Sequence, residues 1–267
     1  MTEITIDQNL ISQTKEAILE AGKIIIRNWD KPRQIRHKGR IDLVTDTDLA
    51  VEDKLKSSLK DILPQATFLA EESANQTKPG NLTWIIDPLD GTTNFVHRIP
   101  FVAISVALWA ENSVLMGFVH LPILEEMFWA AHNKGAFLKD QKISVSTTSE
   151  LEQSLVATGF PYSVREDIDE IMNYLKKVLV SSRGVRRPGS AAIDLAYVAC
   201  GRYDAFYELN LKPWDTAAGL LLVQEAGGKV STFSGKPYTP GNRQILATNG
   251  YVHQAMIDIL NFRSCES

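Results

Sequence analysis

A layered fold of mixed class, α+β passing to α/β, is predicted for this 267-residue chain from three features of its pattern. Apolar residues recur at three- and four-residue intervals near the N-terminus. Short β-favouring runs separated by turns fill the middle third, and strands alternate with helices in the last third. Leu10, Ile11, Thr14, Ala17, Ile18, Ala21, Ile24 and Ile25 form the stripe of a first helix, which ends near Asn28 because Pro32 resists continuation. The stretch 31–40, rich in Lys and Arg, reads as an exposed loop. A second helix starts around 45–48, where Thr45 and Asp48 can cap it, turns Val51, Leu55, Leu59 and Ile62 inward, and stops at Pro64.

Residues 101–110, 114–120, 126–131 and 136–139 are expected strands, with Gly135 and 139–142 as hairpin punctuation. Further on, 155–158 reads as a strand, 167–180 and 191–200 as helices, and 203–208 as a strand. A helix over 216–226 ends at Gly227-Gly228, followed by a strand over 245–248 and a helix over 254–262. No repeat or long linker interrupts the chain. A soft boundary near residue 150 separates an N-terminal α+β half, 1–150, from a C-terminal α/β half, 151–267, within one compact unit.

Composition narrows the function classes. The hydrophobic fraction of 44% and charged fraction of 22% are those of an ordinary globular protein with ample core. A net charge of −4 argues against a general nucleic-acid-binding surface, leaving room only for a local basic patch. No apolar run reaches the length of a membrane span, and Met1-Thr2-Glu3-Ile4 does not open a secretory signal. Cys200 and Cys265 make no disulfide framework, and Cys200 reads as a small buried residue. A cytoplasmic location is expected.

Chemistry concentrates in the run from Thr83 to Asn94. A short apolar strand delivers Asp87 and Asp90, and Gly91, Thr92 and Thr93 then suit a tight turn opening a helix. Carboxylates bind hard divalent cations, and free N–H groups at a helix start bind phosphate. An Asp-x-x-Asp pair alone is more often a solvated turn, so further ligands are required. Glu71 follows the apolar segment 66–70, and Asp215 precedes the expected helix over 216–226. Glu71, Asp87, Asp90 and Asp215 are thus four carboxylates at the ends of elements. The five histidines are dispersed and none pairs with a Ser or Cys nucleophile, which argues against a histidine phosphatase. The lack of His or Cys among the four acids favours an oxygen-loving ion over zinc.

With these residues in view, the chain resembles the inositol monophosphatase family over nearly its whole length. The resemblance rests on 42–48, on the Glu71-Glu72-Ser73 triplet, on 84–97, on Gly189-Ser190-Ala191-Ala192, on 214–218, and on Glu225-Ala226-Gly227-Gly228. It implies an α-β-α-β-α sandwich of the sugar-phosphatase type, a homodimer, and lithium-sensitive, Mg²⁺-dependent phosphatase activity with two to three Mg²⁺ per site and Mn²⁺ as a substitute. By that resemblance Glu71, Asp87 and the Leu89 carbonyl hold a first ion, while Asp87, Asp90 and Asp215 hold a second. Asp48 and Thr92 orient and deprotonate the attacking water, with help from Glu71. Gly91 and Thr92 present N–H groups to phosphate, and Gly189, Ser190, Ala191 and Glu208 meet the polyol.

Blander roles stand beside these. Asp48 alone would be a helix cap, Asp215 an N-cap, Glu72 and Glu208 exposed charges, and Thr93 and Asn94 capping groups. Trp84, Phe95 and Trp214 read as packing. The basic loop is either solvated or a lid in which Lys38 meets the substrate, and Arg183, Arg186 and Arg187 form a charged rim or dimer contact.

The expected reaction is hydrolysis of myo-inositol monophosphates. Its competitors are histidinol phosphate, fructose 1,6-bisphosphate or other sugar phosphates, and, less favoured, a 3′-phosphoadenosine nucleotide. A reading of another class is a dimeric scaffold contacting RNA or transcription machinery through the three arginines.

Overall fold

The computed structural model describes residues 4–31, 35–37, 43–75, 78–161 and 163–261. Helices α1 (Gln8–Asn28) and α2 (Asp46–Ile62) lead the chain. Asp7 caps the first, accepting the Leu10 N–H at 2.8 Å. Between them β1 (Ile35–His37) pairs antiparallel with β2 (Leu43–Thr45), so part of the segment expected as loop is a short hairpin. Three-residue strands carry too little alternation to show in sequence. Arg33, Lys38, Arg40 and Asp42, and with them the lysine-lid expectation, lie outside the described residues, as do Phe262 and Cys265.

Seven strands follow in sequence order across one sheet. They are β3 (Thr67–Ala70), β4 (Leu82–Asp90), β5 (Ala103–Ala110), β6 (Ser113–Leu121), β7 (Glu126–Ala131), β8 (Gly135–Leu138) and β9 (Gln141–Ile143). β3 and β4 run parallel, and the remaining pairs are antiparallel. The second sheet has the order β11-β10-β12-β14-β13. Its strands are β10 (Leu155–Thr158), β11 (Gly184–Arg186), β12 (Ala205–Leu209), β13 (Lys229–Ser231) and β14 (Gln244–Thr248). The edge strands β11 and β13 were not foreseen, again because each has three residues.

Helices α4 (Ile168–Ser181), α5 (Ala191–Ala199), α6 (Pro213–Glu225) and α7 (His253–Leu260) complete the layers. One apolar cluster joins α1 and α2 to one face of the seven-stranded sheet through Trp84, Ile86, Leu108 and Phe118. A second joins the other face, through Ile85, Val119 and Phe128, to α5, α6 and the inner face of the second sheet. A third packs α4 and α7 on the outer face of the second sheet, around Val156, Tyr207 and Leu246. The order is α-β-α-β-α, the sandwich that the sequence resemblance implies. Every residue of α5 is buried, as a helix clasped between two sheets requires. Gly117 allows the close approach of α6, since a Cβ there would stand 2.6 Å from the Ala218 carbonyl oxygen.

Candidate active site

Strand alternation aims the first acid. Ile85 faces the central helices, and Asp87, two residues on, shares that face. The pairing of β4 with β5 then shifts register between Asp87 and Asp90, a bulge that re-aims the second acid. Gly91 caps the short helix α3 (Thr92–Val96) with φ +92°, and a Cβ there would lie 2.7 Å from the Phe101 carbonyl oxygen. Only glycine fits both the backbone angle and the space.

The other acids come from elements packed on this strand end. Glu71 opens the one-turn helix Glu71–Ser73 that follows β3. Asp215 is the third residue of α6, which begins at Pro213 rather than after Asp215 as expected. Its carboxylate reaches back to accept the Lys212 N–H at 2.7 Å. Ser105, paired with Asp87 across the strands, donates its hydroxyl to the Trp214 carbonyl at 3.0 Å and so pins the start of α6 beside Asp87.

Burial and mutual repulsion dominate the electrostatics. Asp87 is 2% exposed. Its pKa stands well above the ordinary range, first from burial and then from Glu71, Asp90 and Asp215. Asp215 is raised likewise, by burial and then by Asp90 and Glu71. Asp90 is raised to about 6 by burial, against the opposing pull of the Ser190 hydroxyl, the Ala192 N–H and Arg187. Acids that repel one another inside a protein are matched by a cation, and an all-carboxylate donor set with one carbonyl suits a hard divalent ion. Among the described residues no three His, Cys, Asp or Glu side chains close into a ready-made metal cage. The four acids are therefore a convergence within electrostatic reach of one another.

Asp48 is the third residue of α2 and completes a capping box with Thr45. Its Oδ2 accepts the Thr45 N–H at 2.9 Å and the Thr45 hydroxyl at 2.5 Å. Its Oδ1 lies 3.0 Å from the Thr92 hydroxyl, whose single proton is shared with the Leu89 carbonyl at 3.1 Å. Burial raises the Asp48 pKa against these hydrogen bonds. The helix-cap role and the contact with Thr92 therefore coexist in one carboxylate.

The far wall comes from the second sheet. Ser190 caps α5, and its hydroxyl donates to Asp90 Oδ2 at 2.6 Å, with the Ala192 N–H on the same oxygen at 2.7 Å. The Ser190 hydroxyl is thus committed to Asp90, and the Ala192 N–H is a partner not among the expected site residues. Ala191 lies between them, 7% exposed. Gly189, at φ +93°, leaves room for Arg187 and Asn94. Asn94 donates to the carbonyls of Phe101 at 2.8 Å and Pro188 at 2.9 Å, tying the loop before Gly189 to α3.

Glu208, which the resemblance gives to the polyol and the blander reading made an exposed charge, is 7% exposed, and burial pushes its pKa to about 8 with Arg187 opposing and Asp90 adding. Gly159 makes its space, since a Cβ there would fall 2.1 Å from Glu208 Oε2. Behind it Asp194 is 1% exposed, with Oδ1 unpartnered among the described residues. Arg187 lies over the Phe160 ring, 5.4 Å from its centroid. Trp84, Phe95 and Trp214 are packing residues as expected. A cleft of about 1600 Å³ runs past Lys212 and Pro213, beside the acids rather than among them.

The family model described as the inositol monophosphatase family matches residues 7–263. The chain is 43% identical to inositol monophosphatase 2 of Solanum lycopersicum, over 92% of this chain and 96% of that protein. It is 39% identical to the Nus factor SuhB of Escherichia coli, over 90% and 91%. The solved inositol monophosphatase of Anabaena superposes with a TM-score of 0.86 at 37% identity, covering 95% of this chain and 96% of that one. Through a match that spans almost all of its length, and a superposition that covers nearly the whole fold, this chain belongs to the inositol monophosphatase family.

Proposed function

We infer that the protein is a metal-dependent phosphomonoesterase that hydrolyses myo-inositol monophosphates to inositol and phosphate. The carrying observation is Asp87, buried and repelled by Glu71, Asp90 and Asp215 at once. Glu71, Asp87 and the Leu89 carbonyl would hold one Mg²⁺, and Asp87, Asp90 and Asp215 another. Bound there, such ions supply Lewis-acid neutralisation of phosphoryl charge and acidify nearby water.

The chain's own groups do the rest. Thr92 orients the attacking water with its hydroxyl, and Asp48, held on one oxygen by Thr45, accepts the proton through Thr92. The N–H groups of Gly91 and Thr92 at the start of α3 receive phosphoryl oxygens. Glu208, Gly189 and Ala191 face the polyol. Burial raises the Glu208 pKa to about 8, so its carboxyl can donate to a substrate oxygen when protonated and accept from a substrate hydroxyl when ionised. Exposed apolar side chains on α4, among them Met172 and Val180, offer a surface for a homodimer.

The substrate panel tests this reading. Inositol 1-phosphate should give the highest kcat/KM against histidinol phosphate, fructose 1,6-bisphosphate and a 3′-phosphoadenosine nucleotide. A preference for histidinol phosphate by about two orders of magnitude would overturn the inositol assignment while leaving the phosphatase. The likeness to a Nus factor supports a second reading, a scaffold contacting RNA or transcription proteins through Arg183 and Arg186, which are exposed. Loss of a nucleic-acid or protein partner in an Arg183→Ala, Arg186→Ala variant that keeps full phosphatase activity would establish it.

A further inference from the structure

We propose that Glu52 is a positioning residue that holds the Glu71 turn at the metal site by gripping its backbone from α2. Glu52 lies one helical turn beyond Asp48 and is 3% exposed, an unusual degree of burial for a glutamate. Its Oε2 accepts the Glu72 N–H at 2.9 Å. The other oxygen lies 3.5 Å from Lys56 Nζ, a further turn along the same helix. Lys56 in turn donates to the Ser73 hydroxyl at 2.9 Å. One face of α2, through positions i, i+4 and i+8, therefore carries Asp48 and two grips on the triplet Glu71–Ser73.

The physical need is plain. The triplet is a single turn of 3₁₀-helix whose N-terminus has no side-chain cap of its own. A single 3₁₀ turn makes few hydrogen bonds within itself, so contacts from neighbouring elements help fix its position. Glu52 supplies one acceptor, and because α2 also carries Asp48, the same rigid element sets the spacing between the proton acceptor and the first metal ligand. Partners that orient a metal ligand typically account for about 10–100-fold in metal affinity. Nothing in this role requires Glu52 to touch substrate or ion. The inference rests on the reading of Glu71 as a ligand.

Two conservative variants separate positioning from charge. Glu52→Asp keeps the charge but withdraws the acceptor by one methylene, whereas Glu52→Gln keeps the reach and loses the charge. Each full-length protein, freed of metal by dialysis against chelator, is titrated with Mg²⁺ alone. The rise in melting temperature is followed, with phosphatase activity as a second readout. Positioning predicts that Glu52→Asp raises the half-saturating Mg²⁺ concentration by about tenfold or more, with substrate KM at saturating Mg²⁺ little changed, while Glu52→Gln stays within about threefold of the parent.

A shift in Glu52→Gln alone would overturn the proposal in favour of an electrostatic role. Unshifted Mg²⁺ titrations in both would overturn it in favour of a structural one. A parent protein whose melting temperature ignores Mg²⁺ would instead refute the metal reading itself, and the inference with it.

Discussion

The two walls of the site are built by different means. The wall on the seven-stranded sheet holds Asp48, Glu71, Asp87 and Asp90, and each element that carries them sits in sequence between residues 46 and 90. The facing wall holds Ser190, Ala192, Glu208 and Asp215, gathered from the central helices α5 and α6 and from β12 of the second sheet. The first wall crowds acids whose pKa values burial raises, Asp87 also through its acidic neighbours. The second carries Glu208 with the buried Asp194 behind it, Asp215, one arginine and several small residues, which make room. On the proposed function, metal chemistry and polyol selection fall on different walls, with Asp215 bridging them.

The largest effects should break the first wall. Chelator should abolish phosphatase activity, Mg²⁺ should restore it, and added Ca²⁺ should depress it because the larger ion relaxes the coordination geometry. Full activity in chelator would remove the basis for the metal reading. Asp90→Asn should lower kcat/KM by about three orders of magnitude while the circular dichroism spectrum stays as in the parent. Thr92→Val, which removes the hydroxyl between Asp48 and Leu89, should lower kcat by about a hundredfold with KM nearly unchanged.

Changes in the second wall should be smaller and selective. Gly159→Ala forces Glu208 aside, so kcat/KM for inositol 1-phosphate should fall by about tenfold, less for simple aryl phosphates, with the Mg²⁺ requirement unmoved. Glu208→Gln should reveal itself in stability. A carboxyl raised from 4.5 to about 8 in the folded protein favours folding fully below pH 4.5, and that contribution is lost as pH rises toward 8. The melting temperature of the metal-free Gln variant should match the parent near pH 4 and exceed it at pH 8. Equal pH profiles would place Glu208 in a more polar setting.

Much of this was legible in the residues themselves. The periodic stripes of α1 and α2 predicted their bounds within a residue or two, because amphipathic helices announce their buried face. The Asp87–Thr93 run was readable because strand, acid pair and glycine turn are contiguous. The helix α6 was expected three residues too late, since Pro213 is a good first helical residue yet punctuates a sequence read without its structure.

The sequence by itself determined the chemistry on offer, four carboxylates without histidine or cysteine among them, and the alternation of layers that brings them to strand ends and helix starts. Tertiary structure alone decided how each donor is held and protonated. Ser190 reaches Asp90 across 100 residues of chain, Glu52 meets Glu72 from another element, and Glu208 is raised by burial. The reason is physical: residue type and spacing specify local geometry, whereas desolvation and long-range hydrogen bonds exist only once the layers have closed.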